Sequence, residues 1–211
     1  PIRTLGELDA RRGELRGKRV LVVGHGHSAA NALHVLEQLA SGDPSMQVTW
    51  AVRTPNRRVC EEVANDPLPE RQSVVARANE LAAAPPPFLK VERRAMIESV
   101  AQTNGHVTVT LTGERTIEAD VIAAFTGYRP DAGFLSELAV ETSPVTEGGA
   151  RLYRAISNVT DCLAVPKVSR DDLATGEPNF YFIGSRGYGR SRSFLLQTGL
   201  AQLETVLDSI S

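Results

Sequence analysis

Gly24-His25-Gly26-His27-Ser28-Ala29 has the residue types and spacing of a loop that cradles a pyrophosphate. Gly24 permits a tight turn, Gly26 has no Cβ to hold a phosphate off the backbone, and Ala29 is small enough for close helix–strand packing. The N-terminus of the helix that follows offers backbone N–H groups and a partial positive charge to an anion. Ser28 adds a hydroxyl. The alternative is a plain turn between a strand and a helix, with no ligand.

The second chemical signal is cationic. Binders of NAD usually place Asp or Glu at the end of the second strand to hold the ribose 2′-OH. Here the chain reads Ala51-Val52-Arg53, with Arg57 and Arg58 just beyond. Guanidinium forks suit a 2′-phosphate, so Arg53 and Arg58 point to NADPH; a solvated basic surface is the other reading. His25 and His27 share the glycine loop and His34 follows. No carboxylate nearby completes a metal site, so the first two are expected to line the nicotinamide pocket and no metal is expected.

A second glycine loop lies near the end of the chain, Phe180-Tyr-Phe-Ile-Gly184-Ser185-Arg186-Gly187-Tyr188-Gly189-Arg190-Ser191-Arg192-Ser193. It too reads strand–loop–helix, and a phosphate-bearing group would suit it. A glycine-rich turn with exposed arginines is the alternative.

These loops need elements to position them. Val20–Val23 is a β-branched run expected of a strand covered on both faces. Apolar residues at helical spacing predict a helix over Ser28–Ala40, and Gln47–Val52 a second strand, which together call for a right-handed parallel crossover. Residues 54–69 read as a loop broken by Pro55, Pro67 and Pro69, and 70–84 as a helix. Phe88–Val91 reads as a third strand. Ile97/Ser99-Val100, Val107–Leu111 and Thr116–Glu118 alternate as an antiparallel meander turned at Asn104-Gly105 and Thr112-Gly113. Val121–Phe125 is another buried strand. Residues 132–178 show no clear period. Phe180–Ile183 is expected as a strand, and 193–210 as a helix with Leu195, Leu196, Leu200, Leu203, Val206 and Leu207 facing inward. The opening residues, with Leu5, Leu8 and Leu15, read as a short helix or lead-in.

Composition narrows the class. The chain has 211 residues and a formal net charge of −2, with no basic field for nucleic acid or an anionic membrane. Its two cysteines, Cys60 and Cys162, form no CxxC and no zinc spacing, and a reducing cytoplasm is the simplest setting. No apolar run reaches the ~18 residues needed to span a bilayer, and the opening Pro-Ile-Arg-Thr-Leu has no apolar signal core. Asn158-Val159-Thr160 matches a glycosylation sequon and is read as a chance match. No Tyr-x-x-x-Lys pair supports a short-chain dehydrogenase, and no catalytic acid or base is singled out.

With both loops and Ala124-Phe125-Thr126-Gly127-Tyr128-Arg129-Pro130 in hand, residues 17–211 resemble the two-dinucleotide-domain flavoproteins, which include the pyridine-nucleotide-disulfide oxidoreductases and the flavin-containing monooxygenases. Gly17–Ala30 is similar to the start of their NADPH domain, and Val48–Arg53 to its second strand and 2′-phosphate arginine. Thr126, Gly127 and Tyr128 resemble the segment where the chain returns to the flavin domain. Phe182-Ile183-Gly184 resembles the closing flavin-contacting motif, in which Ser185 stands where the family commonly carries Asp. No first GxGxxG precedes residue 18, and the redox CxxC of the disulfide reductases is absent, which tilts the resemblance toward monooxygenase-like or uncharacterised relatives.

The resemblance implies an α/β architecture: a Rossmann-like parallel sheet with a small antiparallel meander, then the C-terminal remnant of an FAD-type α/β domain. Residues 1–17 would be a lead-in, 18–126 the NAD(P)H domain and 127–211 the flavin-domain part. It implies hydride transfer from NADPH to FAD in a complete oxidoreductase, a missing N-terminal FAD-binding half as partner, an inactive isolated chain and self-association of a fragment with exposed apolar surface. The rival reading is a non-catalytic nucleotide-binding or regulatory module without flavin.

Overall fold

The β-branched run opens the centre of a parallel sheet. Along the first part of the computed structural model the elements are α1 (Leu5–Ala10), β1 (Arg19–Val23), α2 (His27–Ser41), β2 (Gln47–Ala51), α3 (Pro69–Ala83), β3 (Leu89–Glu92), β4 (Ile97–Thr103), β5 (His106–Leu111), β6 (Arg115–Ala119) and β7 (Val121–Ala124). The second part carries α4 (Ala150–Ile156), α5 (Arg170–Leu173), α6 (Gly184–Tyr188) and α7 (Leu196–Leu207). The structure describes residues 1–63, 66, 68–103, 105–159, 166–191 and 193–208. The chain divides into two compact units, Pro1–Gly127 and Tyr128–Ser211.

In the first unit β1 pairs in parallel with β2 on one side and β7 on the other, and β3 extends the sheet beyond β2, giving the order β3-β2-β1-β7. Strand periodicity sorts the side chains. Val20, Val22, Val48 and Trp50 share a buried cluster with Leu33 and Leu36 of α2 and with Val75 and Leu81 of α3. Leu21 and Ala51 pack instead with Val109, Leu111 and Ile117 of the antiparallel β4-β5-β6 sheet. Both faces of β1 are therefore covered, which is why its apolar run is unbroken rather than alternating. The unit is an α/β fold of Rossmann type with a separate antiparallel meander. The β4–β5 ladder shifts register between Ile97 and Ser99.

The N-terminal segment is more than a lead-in. Ile2 bridges the β7 edge in parallel, donating its N–H to Ile122 O at 2.9 Å and accepting from Ala124 N at 2.8 Å. Leu8 and Leu15 are fully buried in the same core as β1, while Leu5 is exposed. Residues 1–17 thus belong to the first unit, because they cover an open sheet edge and bury apolar side chains.

The turn between β6 and β7 is pinned across the sheet. Asp120 accepts from the backbone N–H of Arg19 at 2.8 Å and from its guanidinium at 2.8 Å, and it lies 2.9 Å from His106 Nδ1. The Arg19 hydrogen bond is the main cause holding the Asp120 carboxyl well below the usual carboxylate range.

The second unit has a core of Leu152, Ile156, Leu173, Tyr188 and Val206. Three expectations need correction there. Phe180–Ile183 is not a strand: among the described residues it makes one bridge, Ala174 to Tyr181, and a strand exists only where a neighbour completes its ladder. The unexpected helix α4 is too short, and its Leu152/Ile156 pair too brief, to show a period. In α7 the side chains that turn inward are Gln202 and Val206, whereas Leu196, Leu200, Leu203 and Leu207 are 73%, 56%, 39% and 52% exposed. Helical spacing identifies an apolar face but not what covers it. Pro67, Asn104, Thr160, Cys162, Arg192 and residues 209–210, where the last helix is expected to end, lie outside the described residues.

Candidate functional site

Because β1, β2, β3 and β7 are parallel, their carboxyl ends share one edge. The register sets Val23 beside Ala51 and Ala124, and Ala51 beside Glu92. Gly24, Val52–Arg53, Arg93 and Phe125–Gly127 all leave the sheet from that edge. The chain passes from β1 to β2 on one side while β7 lies on the other, so the first glycine loop stands where the strand order reverses, the usual ligand crevice of such sheets.

The two glycines of that loop serve different ends. Gly24 has φ +115°, and a Cβ there would overlap the carbonyl oxygen of Phe125 and lie 2.9 Å from its carbon. Its N–H donates to Ala51 O at 3.2 Å, and its carbonyl accepts from Trp50 Nε1 at 2.7 Å. Gly26 is at φ −88° as the N-cap of α2, with no side chain to cap it. A Cβ at Gly26 would meet no atom within 4 Å, so the space beside its backbone is open. Ala29 is fully buried against the core and Ser28 is exposed on the first turn of α2. The arrangement is a bare helix N-terminus, a vacant approach at Gly26 and a hydroxyl. These residues fit a pyrophosphate.

Arg53 stands two residues past the end of β2, is exposed and has no side-chain partner among the described residues. Arg58 is 78% exposed and donates to Glu62 at 3.0 Å. The loop carrying both is held firmly from α3: Asn79 Oδ1 accepts from Val59 N and Cys60 N at 2.9 Å each, and Asn79 Nδ2 donates to Cys60 O and Glu62. Arg93 donates to Asn56 O at 3.1 Å and Ala82 O at 2.7 Å. His25 lies in the glycine loop and His27 opens α2, whereas His34 is on the exposed side of α2, with Nε2 3.0 Å from the Gln38 amide. No group of three metal-ligating side chains occurs among the described residues. Thr126 and Gly127 are exposed at the sheet edge, and Tyr128 opens the second unit, also exposed.

The second glycine loop differs in kind. A Cβ on Gly189, at φ +60°, would overlap Thr146 O, and one on Gly148 would overlap Gly187 O. The two loops are joined by Gly149 N to Gly187 O at 2.9 Å and Arg190 N to Thr146 O at 2.7 Å. Glu147 gathers the arginines: Arg129 at 2.5 Å, Arg190 at 3.4 Å, and Arg186, which donates to its backbone carbonyl at 3.1 Å. The Arg129 hydrogen bond holds the Glu147 carboxyl below its ordinary range. Here the glycines pack against neighbouring backbone, Arg129 and Arg190 engage the Glu147 carboxylate, and Arg186 reaches its backbone carbonyl. Gly184, at φ +59° with open space about its Cβ position, donates its N–H to Gln202 Oε1 at 2.9 Å, and Ser185 is exposed.

Trp50, Asn79 and Glu147 were missed in the sequence. A strand covered on both faces does not say where its indole N–H points. The signal available was that the chain's one tryptophan sits in the strand next to the glycine loop.

No protein-family model matches the chain, and no curated protein matches it in sequence. Solved structures do. The chain is similar to bacillithiol disulfide reductase Bdr from Bacillus cereus (TM-score 0.59, 20% identity, 93% of this chain and 51% of that one). It is similar to thioredoxin reductase from T. acidophilum (TM-score 0.57, 18% identity, 97% and 57%) and to that of Lactococcus lactis (0.55, 14%, 98% and 58%). The chain spans little more than half the length of these proteins, and it shares the fold of that part of them. Among the described residues no helix is long and apolar enough to cross a membrane.

Proposed function

We propose that the chain is the nicotinamide-nucleotide-binding part, with a portion of the flavin domain, of an FAD- and NADPH-dependent oxidoreductase. The observation that carries the reading is the vacant approach at Gly26, on an uncapped helix N-terminus, at the strand edge from which Arg53 also leaves. NADPH bound there would supply a hydride for which FAD is the acceptor. Gly26 and the first turn of α2 would take the pyrophosphate, with Ser28 donating to it. Arg53 would take the 2′-phosphate, with Arg58 peripheral because Glu62 already engages it. His25 and His27 would line the nicotinamide end.

A charge-assisted phosphate contact contributes about 1.5–3 kcal/mol, so Arg53→Ala is expected to weaken NADPH binding by roughly 10- to 100-fold. NADH binding should stay unchanged, because NADH lacks the phosphate. Titration of wild type and Arg53→Ala with both nucleotides reads this, and equal NADPH affinity in the two would remove the 2′-phosphate from Arg53.

The flavin half of the proposal rests on the second unit. Space is open at Gly184, and since Gln202 uses the Gly184 amide, the Ser185 hydroxyl is the group offered to a ribityl chain. The exposed leucines of α7, and the buried polar atoms of Arg186, Tyr188 and Gln202 that find no partner among the described residues, support a unit completed by further chain. The product of the whole reading frame should therefore purify yellow, with flavin absorbance in the visible. A colourless product that still binds NADPH would reject the flavin half and favour a nucleotide-binding module.

A further inference from the structure

Trp50 is the chain's one tryptophan and is fully buried in β2, on the face that packs with α2 and α3. A buried indole N–H requires an acceptor. It finds one outside the ladder, the carbonyl of Gly24 at 2.7 Å. The neighbouring residue, Ala51, accepts from Gly24 N at 3.2 Å. Consecutive residues of β2 thus hold both polar groups of Gly24. Phe125 closes the third side, since its carbonyl occupies the place of a Cβ.

The consequence follows from peptide planarity. No cis peptide occurs among the described residues, so the Gly24 C=O and the His25 N–H are antiparallel in one rigid plane. Fixing the carbonyl onto the indole aims the His25 N–H to the opposite side and fixes the direction in which the turn reaches Gly26. We propose that Trp50 is a positioning residue for the dinucleotide: its indole N–H sets the Gly24–His25 peptide plane, and with it the pyrophosphate-facing turn, before any ligand arrives. This rests on the nucleotide reading above and adds to it a residue that touches no ligand.

Trp50→Phe keeps an aromatic ring in the core and removes the donor. Loss of one such hydrogen bond predicts about tenfold weaker NADP+ binding, or about 1.4 kcal/mol. Adenosine 2′-monophosphate has no pyrophosphate and should bind wild type and variant alike. A second measurement needs no variant. The indole Nε1–H gives one resonance in a chain with one tryptophan, and it should move on adding NADP+ but not on adding adenosine 2′-monophosphate. Unchanged NADP+ affinity in Trp50→Phe, equal weakening of both ligands, or an indole resonance indifferent to NADP+ would each overturn the positioning role alone. A wild-type chain that binds neither ligand overturns the nucleotide reading and takes this proposal with it.

Discussion

Gly26→Ala is expected to remove nucleotide binding from a protein that still folds, while Gly24→Ala is expected not to fold. The two glycines stand two residues apart in one loop, yet their surroundings are opposite. A methyl at Gly26 meets nothing within 4 Å and leaves an ordinary φ of −88° in place. The change at an N-cap costs about 1 kcal/mol or less, so thermal melting should shift little. That methyl would stand in the space proposed for the pyrophosphate, and affinity for NADPH and NADH alike should fall at least about a hundredfold, near 2.7 kcal/mol. At Gly24 the methyl overlaps the Phe125 carbonyl, and φ +115° is closed to an L side chain. Strain and overlap together cost about 4 kcal/mol or more, a large share of a domain's stability. Melting curves and nucleotide titration on both variants decide the matter. Normal binding by Gly26→Ala would place the ligand elsewhere.

Gly189→Ala should disrupt the second unit and spare the first. Gly189 sits at φ +60° and ψ −118°, and its Cβ would overlap Thr146 O and lie 2.8 Å from Gly148 Cα. Gly148 faces it with the reciprocal constraint, since a Cβ there would lie 2.8 Å from Gly189 N. Neither backbone can retreat without breaking the Gly149–Gly187 and Arg190–Thr146 hydrogen bonds. The strained conformation and the overlap again amount to about 4 kcal/mol or more. Hydrogen exchange should show protection lost across α4 and α6 but kept in β1, β2 and α2, with NADPH affinity retained. Unchanged protection in α4 and α6 would mean that the loops are not interlocked as described.

Much of the first unit was legible because its signals are local. The strand run at Val20–Val23, the fingerprint and the 3.6-residue period of α2 lie in one continuous stretch, and each agrees with the next. What escaped depends on partners distant in sequence. The glycines of the second loop resemble a phosphate cradle in type and spacing, but their reason is a neighbouring backbone at Thr146–Gly149 that no local pattern announces. The leucines of α7 show a perfect stripe whose covering is not a property of the helix. Phe180–Ile183 has strand composition, and strand formation needs a neighbour. The Trp50 contact joins strands through a side chain whose direction periodicity leaves open beyond choosing a face.

The strand order has a consequence in time. β1 finds β2 soon after it in the chain, but its other neighbour, β7, is distant: the bond from Arg19 N to Asp120 spans 101 residues. During synthesis the helix–strand pair α2–β2 and the hairpins β4–β5–β6 can form from nearby residues, while one side of β1 stays open until Val121–Ala124 emerge. Ile2 waits as well, since its bridge is to Ala123. A nascent chain halted before that point carries an unpaired apolar strand edge, the kind of surface on which chaperones and misassembly compete. The first unit is thus closed late, by the segment that also leads out of it.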